Sequence, residues 1–256
     1  MRSRLNYLFF IGNKRSGTTH LVSSLNAHPN LFIAPEADLL WAIYRRAQNL
    51  PAAPYPDDGA RGYEQTMAQY GHILARQEWD TVRCLHSILS MMAEREGKNI
   101  PDIQIFGDKK PVQTADPAVF EFTRATIPGA KFIHLIRHPV AVVQSMKDGL
   151  VKMPWAKMWR RDDAALMAFW VRHELWAIGH GEAHPDHVLR IRYQDLATTP
   201  DQVGADICRF LGVAETPAFM TAMRATRDRE NHKYLNTGLV LSPQAQSIVR
   251  QFDLTL

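Results

Sequence analysis

The chain has only two cysteines in 256 residues, Cys84 and Cys208, far apart and at no metal-ligand or redox spacing. A disulfide framework is therefore not indicated, and a reducing compartment becomes the default, so the expected location is cytoplasmic. No apolar run approaches the roughly 20 residues that a membrane-spanning helix needs. Met1-Arg2-Ser3-Arg4 before an apolar run imitates a secretory leader. The run is short, however, and leads into Lys14 and Arg15 instead of a small-residue cleavage site, so it reads as a first strand.

Charge of one sign is never blocked. Lys and Arg number 30 against 26 Asp and Glu, a formal net charge of +4, and the cations are scattered. The nearest approaches to basic clusters, Arg2 with Arg4 and Lys157 with Arg160 and Arg161, are too small for a nucleic-acid footprint, and no nucleic-acid partner is expected. An anion-binding cleft accounts for the excess. His180, His184 and His187 gather near Glu182, but no H-E-x-x-H arrangement is present. Gly181 and Pro185 are expected to break any helix there, which makes the group a polar turn and leaves no metal site to predict. Internal repeats are absent.

What is present begins at once. An apolar strand, Tyr7 to Ile11, runs into Gly12-Asn13-Lys14-Arg15-Ser16-Gly17-Thr18-Thr19 and then a helix-like stretch. The ATP-binding loop G-x-x-x-x-G-K-[ST] needs a lysine directly after its second glycine to reach the β- and γ-phosphates, and here that position is Thr18. The cations Lys14 and Arg15 sit inside the loop instead. Gly17 lets backbone approach a ligand, and the free N–H groups of a helix opening at Thr18 converge on an anion. Thr18 and Thr19 add hydroxyls, and Arg15 adds a planar fork suited to phosphate or sulfate oxygens.

A second anion site is written at Lys131 to Ile136, a short buried strand ending in Arg137-His138-Pro139 and a helical segment from Val140 to Asp148. Pro139 suits a first helical position. Ser145 lies seven residues after His138, nearly two turns, so it shares a helix face with it, and Arg137 and Ser145 can grip one ligand. Ligands of doubly wound sheets collect outside the carboxyl ends of the strands, which brings this pair near the first loop.

Together these segments resemble the sulfotransferases that use 3′-phosphoadenosine 5′-phosphosulfate (PAPS), with motif spacing closest to the tyrosylprotein and bacterial branches. In that family R/K-S-G-T-T after the first strand holds the 5′-phosphosulfate, and an R…S pair eight residues apart holds the 3′-phosphate. Arg15-Ser16-Gly17-Thr18-Thr19 and Arg137 with Ser145 stand at those positions here, and Lys14 beside Arg15 is expected to join the donor-binding set. The resemblance further implies Glu36, 21 residues after Arg15 and beyond His28-Pro29, as general base. It implies Lys109, within Gly107-Asp108-Lys109-Lys110-Pro111, as a cation facing the transferring group, and Tyr193, with Arg192, at the nucleotide. PAPS is then the co-substrate, adenosine 3′,5′-bisphosphate (PAP) the product, a hydroxyl-bearing molecule the acceptor, and no metal takes part.

The element order is strand, loop, helix, a mostly helical stretch over 37–100, then strands near 103–107, 131–136 and 187–192 separated by helices. This predicts an α/β fold, P-loop-like and three-layered, with a central parallel sheet and a mostly helical insertion after strand two. One domain over 1–256 is expected, with 46% hydrophobic residues to build its core. The turn-rich segment Pro51 to Gly59 reads as a loop over the active-site edge, on the acceptor side. Trp155 and Trp159, with Met153 and Met158, form an i,i+4 stripe expected to pack in the core, with lining of an acceptor pocket as the second possibility. Helices are expected at 165–178, 201–211 and 217–226, while 227–241 shows no clear period, although Lys233, Tyr234, Asn236 and Thr237 are candidates to fold over a nucleotide. A nucleotide-dependent kinase with a degenerate loop and an inactive nucleotide-binding module remain the alternatives. Acceptor identity and oligomeric state are not written in the sequence.

Overall fold

Along the first strand β1 (Asn6–Ile11), Tyr7, Phe9 and Ile11 enter one apolar core while Leu8 and Phe10 enter another. A strand that is apolar on both faces must be covered on both, the mark of a buried parallel sheet. The computed structural model, which describes residues 6–76, 80–152, 162–225, 234–235 and 237–256, shows that arrangement. Five parallel strands lie in the order β2-β3-β1-β4-β5, with β2 (Leu31–Pro35), β3 (Ile105–Lys109), β4 (Lys131–Ile136) and β5 (Val188–Arg192).

Parallel neighbours need crossover connections, and helices supply them. In chain order these are α1 (Thr18–Asn26), α2 (Leu39–Ala47), α3 (Ala60–Leu74), α4 (Thr81–Arg95), α5 (Pro111–Ala115), α6 (Pro117–Thr126), α7 (Pro139–Lys152), α8 (Asp163–Ala183), α9 (Tyr193–Thr198), α10 (Pro200–Leu211), α11 (Pro217–Arg224) and α12 (Pro243–Gln251). Leu21 and Leu25 of α1, Ile207 of α10 and Met223 of α11 pack on the Leu8 and Phe10 face. Ile43 of α2, Leu89 of α4, Phe120 of α6 and Trp170 of α8 cover the opposite face. The result is the expected three-layer α/β fold, with α2, α3 and α4 forming the helical insertion after β2. Among the described residues no helix is long and apolar enough to cross a membrane.

Three local expectations need correction. Helix α8 runs on through Gly181, because that glycine marks a close approach and not a break: a Cβ there would lie 2.7 Å from Arg190 Nη2. The three histidines near its end then take separate partners, His180 on the Ala115 carbonyl at 2.9 Å, His184 beside Arg124 at 2.9 Å and His187 on the Ala130 carbonyl at 2.9 Å. Strand β3 starts and ends two residues later than the 103–107 span, so Lys109 closes the strand. Helix α12 has no counterpart in the sequence reading, since only Ala245 and Ile248 of its nine residues are buried. Its signal was the start, where Ser242 accepts the Ala245 N–H ahead of a first-turn proline. Met153, Trp155, Lys157, Met158, Trp159, Arg160, Arg161, Arg2, Arg4, Lys233 and Asn236 lie outside the described residues.

Candidate active site

In a parallel sheet all carboxyl ends share one edge, and here each of the five delivers an expected site residue. Reading across the sheet, Glu36 follows β2, Lys109 ends β3, the 12–17 loop follows β1, Arg137 follows β4 and Tyr193 follows β5.

The loop is curled by three residues in the left-handed region, Gly12 (φ 108), Arg15 (φ 66) and Gly17 (φ 96). Gly17 is required twice over, by its φ and by space, since a Cβ would meet the Tyr193 ring at 2.7 Å. It is also the N-cap of α1 and brings no side-chain acceptor, so the first-turn N–H groups and the positive end of the helix dipole are left for an anion. Ser16 Oγ is fully buried with no hydrogen-bond partner among the described residues. A buried hydroxyl in that state costs about 1–3 kcal/mol, which a ligand oxygen would remove.

The second anion pair joins this loop directly. Arg15 Nε donates to Ser145 Oγ at 3.1 Å, and Arg137 Nη1 donates to the Arg15 carbonyl at 3.1 Å. The Arg137 guanidinium lies 4.1 Å above the Tyr193 ring, which itself packs on Gly17. Arg15, Gly17, Arg137, Ser145 and Tyr193 thus form one cluster, with Arg137 and Ser145 buried and Arg15 exposed. Arg192 points elsewhere, forking onto Asp195 at 2.7 and 2.8 Å.

Lys109 and Glu36 meet on the other side of the loop. The buried Lys109 Nζ donates to Glu36 Oε1 at 2.5 Å and to Thr19 Oγ1 at 3.0 Å. It stands between a carboxylate and the opening turn of α1. Glu36 has φ 55, a strained value for a non-glycine residue. The turn is held there by Asp108, whose carboxylate accepts the N–H groups of Leu39 at 2.9 Å and of Ala37 and Leu40 at 3.3 Å. Burial alone would lift the Glu36 carboxyl, but Lys109 beside it, helped by Lys110, more than offsets that and holds it below the ordinary carboxylate range. Glu36 is therefore ionised at neutral pH.

Lys14 does not share that face. Its Nζ donates to Asp58 Oδ1 at 3.0 Å and to the Asp57 carbonyl at 2.9 Å, both in the turn-rich loop over 51–59. The far oxygen of Asp58 takes Lys110 Nζ at 3.1 Å, and Lys110 also pairs with Asp38 Oδ2 at 2.8 Å. These partners escaped sequence reasoning, and so did a brace under the loop. Asn13 Nδ2 donates to the Trp170 carbonyl and to Glu174 Oε1, both at 2.9 Å. Glu174 Oε2 lies 2.6 Å from His134 Nε2, and Arg190 Nε donates to His134 Nδ1 at 3.1 Å. Because Nδ1 accepts, Nε2 carries the proton and donates to Glu174.

Burial also pushes His138, beside Arg137, and His173, nearly three turns along α8, down to about 4. Both therefore bind protons more weakly folded than unfolded, where the value is about 6.5. Each contributes stability that is complete above pH 6.5 and lost as pH falls toward 4, about 3 kcal/mol apiece. Asp38, raised by burial to about 6, and Asp108, also raised by burial, act with the opposite sign, but burial lowers His86 and His180 too, so four lowered histidines stand against two raised carboxylates. Urea unfolding midpoints should accordingly fall between pH 7 and pH 5, with a shallower slope in His173→Phe; a slope unchanged by that substitution would clear His173 of the effect.

A family model described as the sulfotransferase family matches residues 8–217. No curated protein matches the chain. Among solved structures it is similar to the sulfotransferase domain of the Synechococcus PCC 7002 olefin synthase, at 20% identity and TM-score 0.65 over 100% of this chain and 97% of that one. The sulfotransferase domain from the curacin biosynthetic pathway follows at 20% identity and TM-score 0.63, covering 97% and 98%. A Mycobacterium avium sulfotransferase is 16% identical with TM-score 0.56, over 100% of this chain and 79% of that one. At such identities the structural likeness speaks to the fold.

Proposed function

The chain belongs to the sulfotransferase family, and from that premise we propose that it moves a sulfuryl group from PAPS to a hydroxyl, with Glu36 as general base. The observation carrying this reading is the position of Lys109, bonded at once to the Glu36 carboxylate and to Thr19 at the opening of an anion-binding helix. A base and a cation for the transferred group are thereby adjacent at the mouth of the loop.

The residues fit the donor. The unpaired Ser16 hydroxyl, the α1 N–H groups, Thr18, Thr19 and Arg15 supply the set for the 5′-phosphosulfate, and the buried Arg137 with Ser145 supplies one for the 3′-phosphate. Tyr193, stacked under Arg137, borders both. PAPS contributes an activated sulfur–oxygen bond. Sulfuryl transfer follows the logic of phosphoryl transfer, in which positioning and charge stabilisation do most of the work. Glu36 takes the acceptor's proton as its oxygen bonds to sulfur, and the bond from sulfur to the bridging phosphate oxygen breaks, releasing PAP. Arg15, Lys109 and the helix N–H groups stabilise the charge that develops on the bridging and equatorial oxygens. The acceptor side is assigned to the 37–100 insertion.

Calorimetric titration with PAP, with ADP and with ATP plus magnesium, at one ionic strength, tests the proposal. Tight binding restricted to the nucleotide with a 3′-phosphate is expected. Preference for ATP plus magnesium would replace the reading with a kinase.

A further inference from the structure

The phosphate-binding loop and the 51–59 loop meet at a square of buried charge. Lys14 and Lys110 are its cations and Asp38 and Asp58 its carboxylates, with side chains between 1% and 18% exposed. Asp58 is the shared corner, one oxygen on each lysine. The loop that carries it is itself anchored, by the Trp41 Nε1 bond to the Ala53 carbonyl at 2.8 Å, by Tyr55 OH on Asp116 Oδ2 at 3.1 Å and by Arg172 on Asp57. Lys14 meanwhile has its ammonium 5.4 Å from the centre of the Phe169 ring.

Three of the cations near the loop thus divide their labour. Arg15 reaches Ser145 and Lys109 reaches Thr19, both at the anion site, whereas Lys14 is bound to two oxygens of residues 57 and 58. The square also reaches the base. Lys110 is covalently next to Lys109, the partner of Glu36, and Asp38 is two residues from Glu36, so the charge on Asp58 is felt at the Glu36 carboxylate.

We infer that Lys14 and Asp58 are positioning residues and not donor ligands: the pair fastens the acceptor-side loop to the phosphate-binding loop and, through Lys110, sets the field at Glu36. Buried partners of this kind act as a unit, because removing either strands the charge of the other. The assignment rests on the sulfotransferase reading for its kinetic consequences, while the strut itself is independent of that reading.

The test compares wild type, Lys14→Met, Asp58→Asn and the double variant. PAP affinity is read by calorimetry, sulfate release from PAPS to water is followed against pH, and melting is recorded alongside. In Lys14→Met, PAP affinity should stay within about threefold while sulfate release falls about tenfold or more, and the double variant should be no slower than the slower single. Asp58→Asn removes a negative charge that opposes Glu36 ionisation, so the acid limb of its rate profile should move to lower pH. The charged groups acting on Glu36 that remain there are Lys109 and Lys110. A purely structural role would leave that limb in place, and an unmoved limb overturns the field at Glu36. PAP affinity weakened about tenfold in Lys14→Met, with Asp58→Asn adding its own separate loss, would make Lys14 a donor ligand and overturn the strut. Should wild type bind no PAP, the donor reading fails by itself. The melting cycle then decides the strut, with a non-additive loss supporting it and an additive loss sinking it.

Discussion

Glu36→Gln is expected to slow sulfuryl transfer by about 10²–10⁴-fold, with PAP affinity no more than a few-fold from wild type. The size follows from the acid being removed: an aliphatic hydroxyl parts with its proton poorly, so a base held in hydrogen-bond reach accounts for much of the rate. The small effect on binding follows from the geometry. Glu36 occupies the exposed side of Lys109, and Lys109 keeps its bond to Thr19 at 3.0 Å when the carboxylate is gone. Losing the Glu36 charge leaves Lys109 less neutralised, so any change in PAP affinity should run toward tighter binding. Glutamine keeps the shape of the side chain at a position whose φ of 55 is already strained, which separates lost basicity from a collapsed turn. Sulfate release from PAPS to water serves as the assay, since it needs no known acceptor. A variant that releases sulfate at the wild-type rate removes Glu36 from the mechanism.

Which parts of this site could be read in advance depended on how local their physics is. The 12–19 loop was legible because strand, glycine turn and helix start are consecutive, and each leaves its residue signature. Arg137 and Ser145 were legible because one strand end and two helix turns fix their spacing. Glu36 and Lys109 are 73 residues apart, and their contact exists only because β2 lies beside β3 with Pro35 level with Lys109. No pattern in either segment announces that, so both came from family resemblance. Lys14 shows the opposite case, in which a residue's place in the loop suggested an anion ligand while Asp58, 44 residues away, holds it. The Asn13 and Glu174 brace spans 161 residues and was invisible for the same reason. Gly181 was misread because a glycine at a close approach and a glycine at a break look identical until Arg190 is in place.

Arg137→Ala should remove the preference for the 3′-phosphate. In wild type the ratio of PAP affinity to that of adenosine 5′-monophosphate, which lacks this group, measures what the second anion site contributes. Loss of a buried charged partner typically costs about 2–5 kcal/mol, so PAP should bind about 30-fold more weakly or worse. The raw loss is ambiguous, however, because Arg137 also donates to the Arg15 carbonyl and lies on Tyr193, so its removal slackens the first anion site as well. Both nucleotides use that first site, and the slackening therefore cancels in their ratio. The ratio should collapse toward one in Arg137→Ala and fall partway in Ser145→Ala, whose hydroxyl is held at 3.1 Å by Arg15 and not by Arg137. Calorimetry on the two nucleotides reads both values. An undiminished ratio in Arg137→Ala, with the two affinities lowered together, would mean that Arg137 only supports the loop and that the 3′-phosphate docks elsewhere.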